Sequence, residues 1–371
     1  MRDDLDMATE PKHGYFEVSS SHRQNGDATQ KTPKLSVVMP VYNGEQYLRE
    51  AMDSVLQQPF EDLELLVIND GSIDGSVEVM KSYADPRIRY IDNIENRGVA
   101  YSRNVGLREA RGEYLAWCDC DDLSLPNRFV KQIAFLDEHL EYGACGTWLE
   151  RFGDDKNYVS KAASDPEYLE GMLLFTPALP NATVMLRMKW IREQNMRYHE
   201  DLPVAEDHDF IMRCSWRFPM TNLQEVHYKY RASETSIMKQ FSEREARLYG
   251  VVKKVYARAM ERLSIVPTEE ELYTHWTINS ERLIEKRQEL EDCFDWLRKL
   301  ENANTISDTI DQRAFRKVLA ERFYFTCKKA SQLGLSTFWF YLNRSSSNFG
   351  LVGLKDLAKL VVRCAIKYDK F

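Results

Sequence analysis

The hydrophobic pattern of this chain changes character at Leu35. Residues 1–33 are rich in Ser, Asp, Gln, Lys and Gly and show no apolar period, which predicts a disordered or loosely packed leader. From Leu35, LSVVMP is a short β-branched run, and after a polar turn Leu48, Ala51, Met52, Val55 and Leu56 recur at helical spacing. The same alternation follows with LELLVIN (63–69) and a helix near 75–83, IRYI (88–91) and a helix near 99–110, then EYLAWCD (113–119). Short strands separated by helices predict an α/β fold with a mostly parallel, doubly wound sheet. Mixed signals continue to about residue 235, and beyond 240 the pattern turns helical through EREARLYGVVKKVYARAMERL to Phe371. The expected division is a leader (1–33), a nucleotide-binding α/β domain (34–238) and a C-terminal helical extension (239–371).

In doubly wound sheets ligands bind beyond the carboxyl ends of the strands, where loops and helix N-termini converge. Here those segments are PVYNGE, NDGSIDGS, NIENRG and DCDD, all polar or acidic after apolar strands. Asp119, Asp121 and Asp122 crowd one turn, where their mutual repulsion favours a hard divalent cation, Mg²⁺ or Mn²⁺, that can share phosphate oxygens and water. The competing reading has Asp121 or Asp122 capping a helix that begins around Pro126. Asp70 is placed to accept a hydrogen bond from a nucleobase N–H, while Ser72 or Asp74 can cap the next helix. Arg103 and Asn104 fall near the start of a helix whose Leu107 and Ala110 face the core. A cation there opposes the helix dipole, so Arg103 is expected to meet a phosphate or base. Glu206 and Asp207 begin a helix continued by Phe210, Ile211 and Cys214. Either they favour its dipole or one is a general base.

Taken together and in order, LSVVMPVYNGEQYL, LLVINDGSIDGS, NRGVAYSRNVGLREARGEYLAWCDCDD and VAEDHDF resemble family 2 glycosyltransferases, the inverting group with the Rossmann-like GT-A fold. The resemblance covers roughly residues 34–235. It implies that Pro40, Val41, Tyr42 and Glu45 line a nucleotide pocket, that Asp70 holds the base, and that Arg103 and Asp119 help bind the nucleotide. Asp119 and Asp121 match the family's D-x-D pair, with Asp121 as direct metal ligand, and Asp207 matches its catalytic base. The implied reaction is a single displacement at the anomeric carbon of a nucleotide sugar, UDP-linked in most members, with a hexose or N-acetylhexosamine moving to an acceptor hydroxyl. Two departures stand out: Asn69 where the family often has an acid, and Ala232 and Ser233 after Tyr230 and Arg231 where many members carry a His. His227 is a nearby substitute.

Composition narrows the setting. At 371 residues and 43% hydrophobic content the chain can bury a core, and 50 Lys plus Arg against 58 Asp plus Glu exclude a surface built wholly to trap nucleic acid. Seven cysteines without a C-x-x-C pair fit neither a disulfide framework nor a zinc site, so a reducing cytoplasm is expected. The N-terminus lacks a signal peptide's apolar region, and no run of about 18 apolar residues spans a bilayer. In residues 351–371, Lys355, Lys359, Arg363 and Lys367 recur every four residues beside an apolar face of Leu354, Leu357, Val361 and Ala365. Such a helix either packs on the catalytic domain or lies on the inner face of an anionic membrane, where a polyprenyl-linked acceptor of O-antigen, capsule or exopolysaccharide synthesis would be found. Two rivals share the signals: a nucleotidyltransferase, and a catalytically silent nucleotide-sugar binding module.

Overall fold

The computed structural model describes residues 32–154, 157–232 and 245–368, so most of the expected leader lies outside the described residues. The strand–helix alternation is observed as β1 (Leu35–Val41), α1 (Leu48–Leu56), β2 (Leu63–Asn69), α2 (Ser76–Lys81), β3 (Ile88–Asp92), α3 (Val99–Glu109) and β4 (Tyr114–Trp117). These strands pair in parallel in the order β3-β2-β1-β4, with Leu35 opposite both Leu63 and Tyr114. Leu35, Val37, Met39 and Val41 point into one core with α1, whereas Val38 points into the other with α3. A strand buried on both faces needs an unbroken apolar run, which is why these segments read as such. Gly106 lets α3 close on β1: a Cβ there would stand 2.4 Å from Val38 Cγ1.

Beyond β4 the sheet is mixed rather than parallel. It runs on through β8 (Met185–Arg187), β6 (Ala144–Phe152), β9 (Met220–Arg231) and β5 (Leu123–Ser124), with β7 (Tyr158–Ser160) beside β6. Strand β8 is antiparallel to both β4 and β6, and β5 to β9, while β6 and β9 are parallel. Helices α4 (Arg128–Glu138), α5 (Pro166–Leu173), α6 (Met188–Glu193) and α7 (Glu206–Ser215) connect these strands.

The helical region comprises α8 (Glu245–Glu261), α9 (Glu269–Asn279), α10 (Arg287–Ser307), α11 (Gln312–Lys329), α12 (Leu335–Ser347) and α13 (Leu354–Ala365). Most of its buried apolar residues join those of α3, α5, α7 and one sheet face in a cluster running from Val38 through Phe210 and Phe315 to Leu360, while Val252, Tyr256, Leu272 and Trp276 form a smaller one. Lys329, fully buried, donates to the carbonyls of Thr277, Ile278 and Ser280 and so satisfies the open C-terminal end of α9. Among the described residues no helix is long and apolar enough to cross a membrane. All seven cysteines are unpaired. The apolar face expected for α13 is corrected: Leu360 and Cys364 are buried and Leu357 packs on the core, while Leu354 is 86% exposed and Ala365 faces out. Leu357, Leu360 and Cys364 follow the i, i+3, i+7 seam of a helix, and the cysteine counts as apolar there.

One buried histidine ties this region to the end of α5 and sets an acid limit on it. His275 lies wholly within the core, stacked on Phe175: Nε2 lies 3.1 Å from the carbonyl oxygen of Leu174, and Nδ1 accepts from Trp296 Nε1 at 3.0 Å. A second ring proton would confront the indole N–H, and burial pushes the imidazole pKa down to about 3 from 6.5. Below pH 6.5 the unfolded chain therefore binds a proton that the folded one refuses. The stability held by neutral His275 is complete above pH 6.5 and drains by about 1.4 kcal/mol per unit as pH falls towards 3. Urea unfolding at pH 7 and pH 5 should show this loss in the wild type and a smaller one in His275→Gln.

Candidate active site

The loops at the carboxyl ends of β1 and β2 are stitched together. Asn43, in the left-handed region at φ 52°, donates its N–H to Ser72 Oγ at 3.0 Å and accepts from Ile73 N at 2.9 Å. Glu45 N donates to Asp74 Oδ2 at 3.0 Å, and Glu45 Oε2 accepts from Gly75 N at 2.9 Å. Ser72 thus serves the neighbouring loop rather than a helix cap, while Asp74 Oδ1 accepts from Ser76 N in the first turn of α2. Of the residues expected to line the pocket, Tyr42 and Glu45 are exposed and Pro40 half-buried, but the Val41 side chain is in the core and can meet a ligand only through its backbone. Asp70 is buried, and both its oxygens are in use: Oδ1 accepts from Asn93 Nδ2 at 2.9 Å and Arg97 N at 3.2 Å, and Oδ2 from Gly98 N at 2.8 Å. It fixes the loop entering α3, so a base N–H would have to share these oxygens.

The three carboxylates after β4 separate into different roles. Asp122 is fully buried, its Oδ1 accepting from Arg231 N at 2.7 Å, and so belongs to the join with β9 rather than to a cation site. Neither Asp121 nor Asp122 caps a helix: α4 starts at Arg128 behind Asn127, which turns the chain in the left-handed region at φ 67°. Asp119 and Asp121 stay half-exposed. Burial and the neighbouring Asp119 push the Asp121 carboxyl up to about 6, a repulsion that a divalent cation would relieve. Among the described residues no group of three or more His, Cys, Asp or Glu is placed to hold a metal ion. Asp119 and Asp121 are the two carboxylates that would hold a divalent cation here, with phosphate oxygens and water as its other ligands.

Several residues that support this turn were not singled out from the sequence. Arg128, wholly buried, donates to the carbonyls of Trp117 at 3.0 Å and Ala182 at 2.8 Å and to Ser124 Oγ at 2.9 Å, clamping the end of β4. Arg231 donates Nε to the Asp121 carbonyl at 2.8 Å and pairs with Glu50 at 2.7 Å. Tyr228 Oη receives the Asp119 N–H at 3.1 Å. His227, next to it in a bulge of β9, meets Glu225 Oε2 at 3.1 Å.

Helix α7 closes the site. Ala205, ahead of it, is held at φ 58°, a costly conformation for a residue with a Cβ. Three carboxylates follow in its first turn, Glu206, Asp207 and Asp209. Glu206 is buried and pairs with Arg103, which also reaches Asp119 at 3.5 Å. Asp209, wholly buried, accepts from Arg213 Nε at 2.8 Å and pairs with Arg258 of α8, so the helical region is bolted to this helix. Among the described residues no cationic side chain stands within ion-pair distance of Asp207, which is half-exposed and accepts only the His208 N–H at 2.7 Å.

Arg103 does not have the open position expected of a phosphate ligand. At 6% exposure its guanidinium lies against Trp117 and Tyr198, joining Asp119 to Glu206. Burial works against its charge, but Glu206 and then Asp119 hold it well above its ordinary pKa. Asn104 is structural: its amide donates to Tyr198 O at 3.0 Å and accepts from Tyr198 N at 2.8 Å.

The chain is similar to known proteins over this same region. Residues 36–216 match the model of the family described as Glycosyl transferase family 2. A putative glycosyltransferase of Bacillus subtilis, EpsE, is 35% identical over 207 residues, which are 54% of this chain and 73% of that protein. An uncharacterized glycosyltransferase of Haemophilus influenzae is 32% identical over 212 residues, 54% of this chain and 65% of its own length. A Rickettsia felis relative, 31% identical over 53% of this chain, is matched over 33% of its length, so the chain spans only part of several relatives. Among solved structures, S. aureus TarS in complex with UDP-GlcNAc superposes with TM-score 0.54 at 19% identity, covering 85% of this chain and 91% of that one. The shared fold therefore reaches past β9 into the helical region. With a GT-A sheet, its acidic turn and the E-D helix in place, and with this likeness to EpsE, the chain belongs to glycosyl transferase family 2.

Proposed function

We propose that the chain moves a sugar from a nucleoside diphosphate sugar to an acceptor hydroxyl with inversion, using Asp207 as general base. The observation that carries this is the pairing of charges on α7: Glu206 pairs with Arg103, and Asp209 with Arg213 and Arg258, which leaves Asp207 as the carboxylate in that turn free to take a proton. Arg103 links this turn to the D-x-D turn, so base and donor sites are fixed to one another. Asp119 and Asp121 would hold Mg²⁺ or Mn²⁺, which when bound offsets charge on the departing diphosphate. Tyr42 and Glu45 border the same loops on the nucleotide side, with Pro40 and the Val41 backbone behind them. The UDP-GlcNAc held by the TarS structure makes a UDP-hexose or UDP-N-acetylhexosamine the first donor to test. A cytoplasmic enzyme extending a lipid-linked glycan for bacterial surface polysaccharide, in peripheral contact with the membrane through residues 351–371, fits the basic C-terminal helix; residues 369–371 lie outside the described residues.

The test is a panel of UDP-, GDP- and dTDP-sugars with Mn²⁺ or Mg²⁺, following nucleoside diphosphate release by wild type and Asp121→Ala. Release is expected to require both the metal and Asp121. Pyrophosphate as the product of a nucleoside triphosphate would show a nucleotidyltransferase instead, and silence across the panel with lipid-linked acceptors added would sink the transferase reading.

A further inference from the structure

We propose that α12 and the outward side of α13 form one surface that docks on an anionic lipid bilayer. The proposal rests on the membrane-contact part of the reading above and replaces the single C-terminal helix with a two-helix surface. Leu335, Trp339, Leu351, Leu354, Val362 and Ile366 are all exposed, with Trp339 at 60% and Ile366 at 64%. Leu335 and Trp339 lie on α12, Leu354 and Val362 on α13, Leu351 in the turn between them and Ile366 directly after α13. Phe340, Tyr341, Phe349, Leu360 and Cys364 anchor the same hairpin in the core, and Tyr341 Oη receives the Val352 N–H at 3.1 Å across the turn. The side chain of Lys367 lies beside Gly334, so the end of α13 meets the start of α12.

On α13, Leu354, Ala358, Val362 and Ile366 follow each other every four residues, on the side away from Leu360 and Cys364. Lys355 and Lys359 flank that line, both exposed. From residue 331 to 368 the chain has five cations, Arg344, Lys355, Lys359, Arg363 and Lys367, against one carboxylate, Asp356, in a protein whose net charge is −8. An apolar strip interleaved with lysines is unlike the core of a protein interface, where lysine is depleted. It matches a lipid surface, where aliphatic and Trp side chains enter the headgroup boundary while lysine stems extend to lipid phosphates. The acidic remainder of the chain would be repelled by the same surface, so the charge distribution also orients the protein.

The experiment is co-sedimentation of the full chain with phosphatidylglycerol–phosphatidylcholine vesicles and with phosphatidylcholine vesicles alone. Binding to the anionic vesicles is expected, weakened by salt. Lys355→Gln with Lys359→Gln should lower the partition coefficient about 30-fold, each lysine near an anionic surface being worth roughly fivefold. Val362→Ser with Ile366→Ser should lower it about as much, and Trp339→Ser further. Sugar transfer to a soluble acceptor, followed in parallel as nucleoside diphosphate release, should be unchanged in all of these, so that loss of docking is separable from loss of transfer. Equal binding to both vesicle types, no binding to either, or a dimer that dissociates in the Val362→Ser, Ile366→Ser variant would overturn the proposal, the last in favour of a second copy on this face.

Discussion

Asp207→Asn is expected to lower kcat by roughly 10²–10⁴-fold, the range that a positioned general base contributes, with little change in donor KM. Asparagine keeps the size of the side chain and an oxygen for the His208 N–H, so α7 should start unchanged. What disappears is the oxygen that takes the acceptor's proton. Steady-state kinetics across pH, with nucleoside diphosphate release as the signal, supplies the check: kcat should be low at every pH. Glu206→Gln offers the contrast, because Glu206 is buried against Arg103 and its loss should disturb stability as well as rate. If Asp207→Asn kept most of its rate while Glu206→Gln lost its pH dependence, the base would be Glu206 and the charge-pairing argument would fail.

Much of this site is legible in the sequence because strands buried on both faces leave long apolar runs, and whatever polar residues follow them must lie at the sheet's carboxyl edge. That logic places Asp70 directly after β2 and Asp119 and Asp121 directly after β4, which is where the chain carries them; Asp207, at a helix start, is outside its reach. It also yields the order of elements through β4. It does not reveal the mixed half of the sheet, because β8 and β5 are three and two residues long and have no period to detect. Nor does it separate the acids. Asp119 and Asp122 look alike in D-C-D-D, yet one stays half-exposed and the other is buried under the backbone of β9, 109 residues away in sequence.

Buried arginines are the largest gap. Arg128 and Gln132 lie four residues apart on the face of α4 that also buries Phe129, Ile133 and Leu136. Polar side chains on an apolar face were the available signal, although they name no partner. The partners are backbone carbonyls at the end of β4 and beyond it, found only when the chain is folded. Arg258 is similar: nothing in EREARLYGVVKKVYARAMERL distinguishes it from its charged neighbours, but it reaches the buried Asp209 of the helix that begins at Glu206. The helical region is thus tied by charge as well as by apolar packing to the turn that presents Asp207.

Arg103→Met should be the most damaging change to stability near the site, because it leaves Glu206 buried without its cation. Removing one partner of a buried ion pair costs about 3–5 kcal/mol, and methionine can replace the stem against Trp117 and Tyr198 but not the charge. Chemical denaturation would show it as a fall in midpoint at unchanged slope. Arg103→Met with Glu206→Gln should recover much of that stability, since the double variant no longer buries an unpaired carboxylate. Activity should not return with it. Arg103 also steadies Asp119 from 3.5 Å, and the double variant loses the charged link that runs from Asp119 through Arg103 to Glu206 on α7. A double variant that regained both stability and rate would show that Arg103 only neutralises Glu206. Recovery of stability alone would make it the element that holds the donor side and the base side of the site in register.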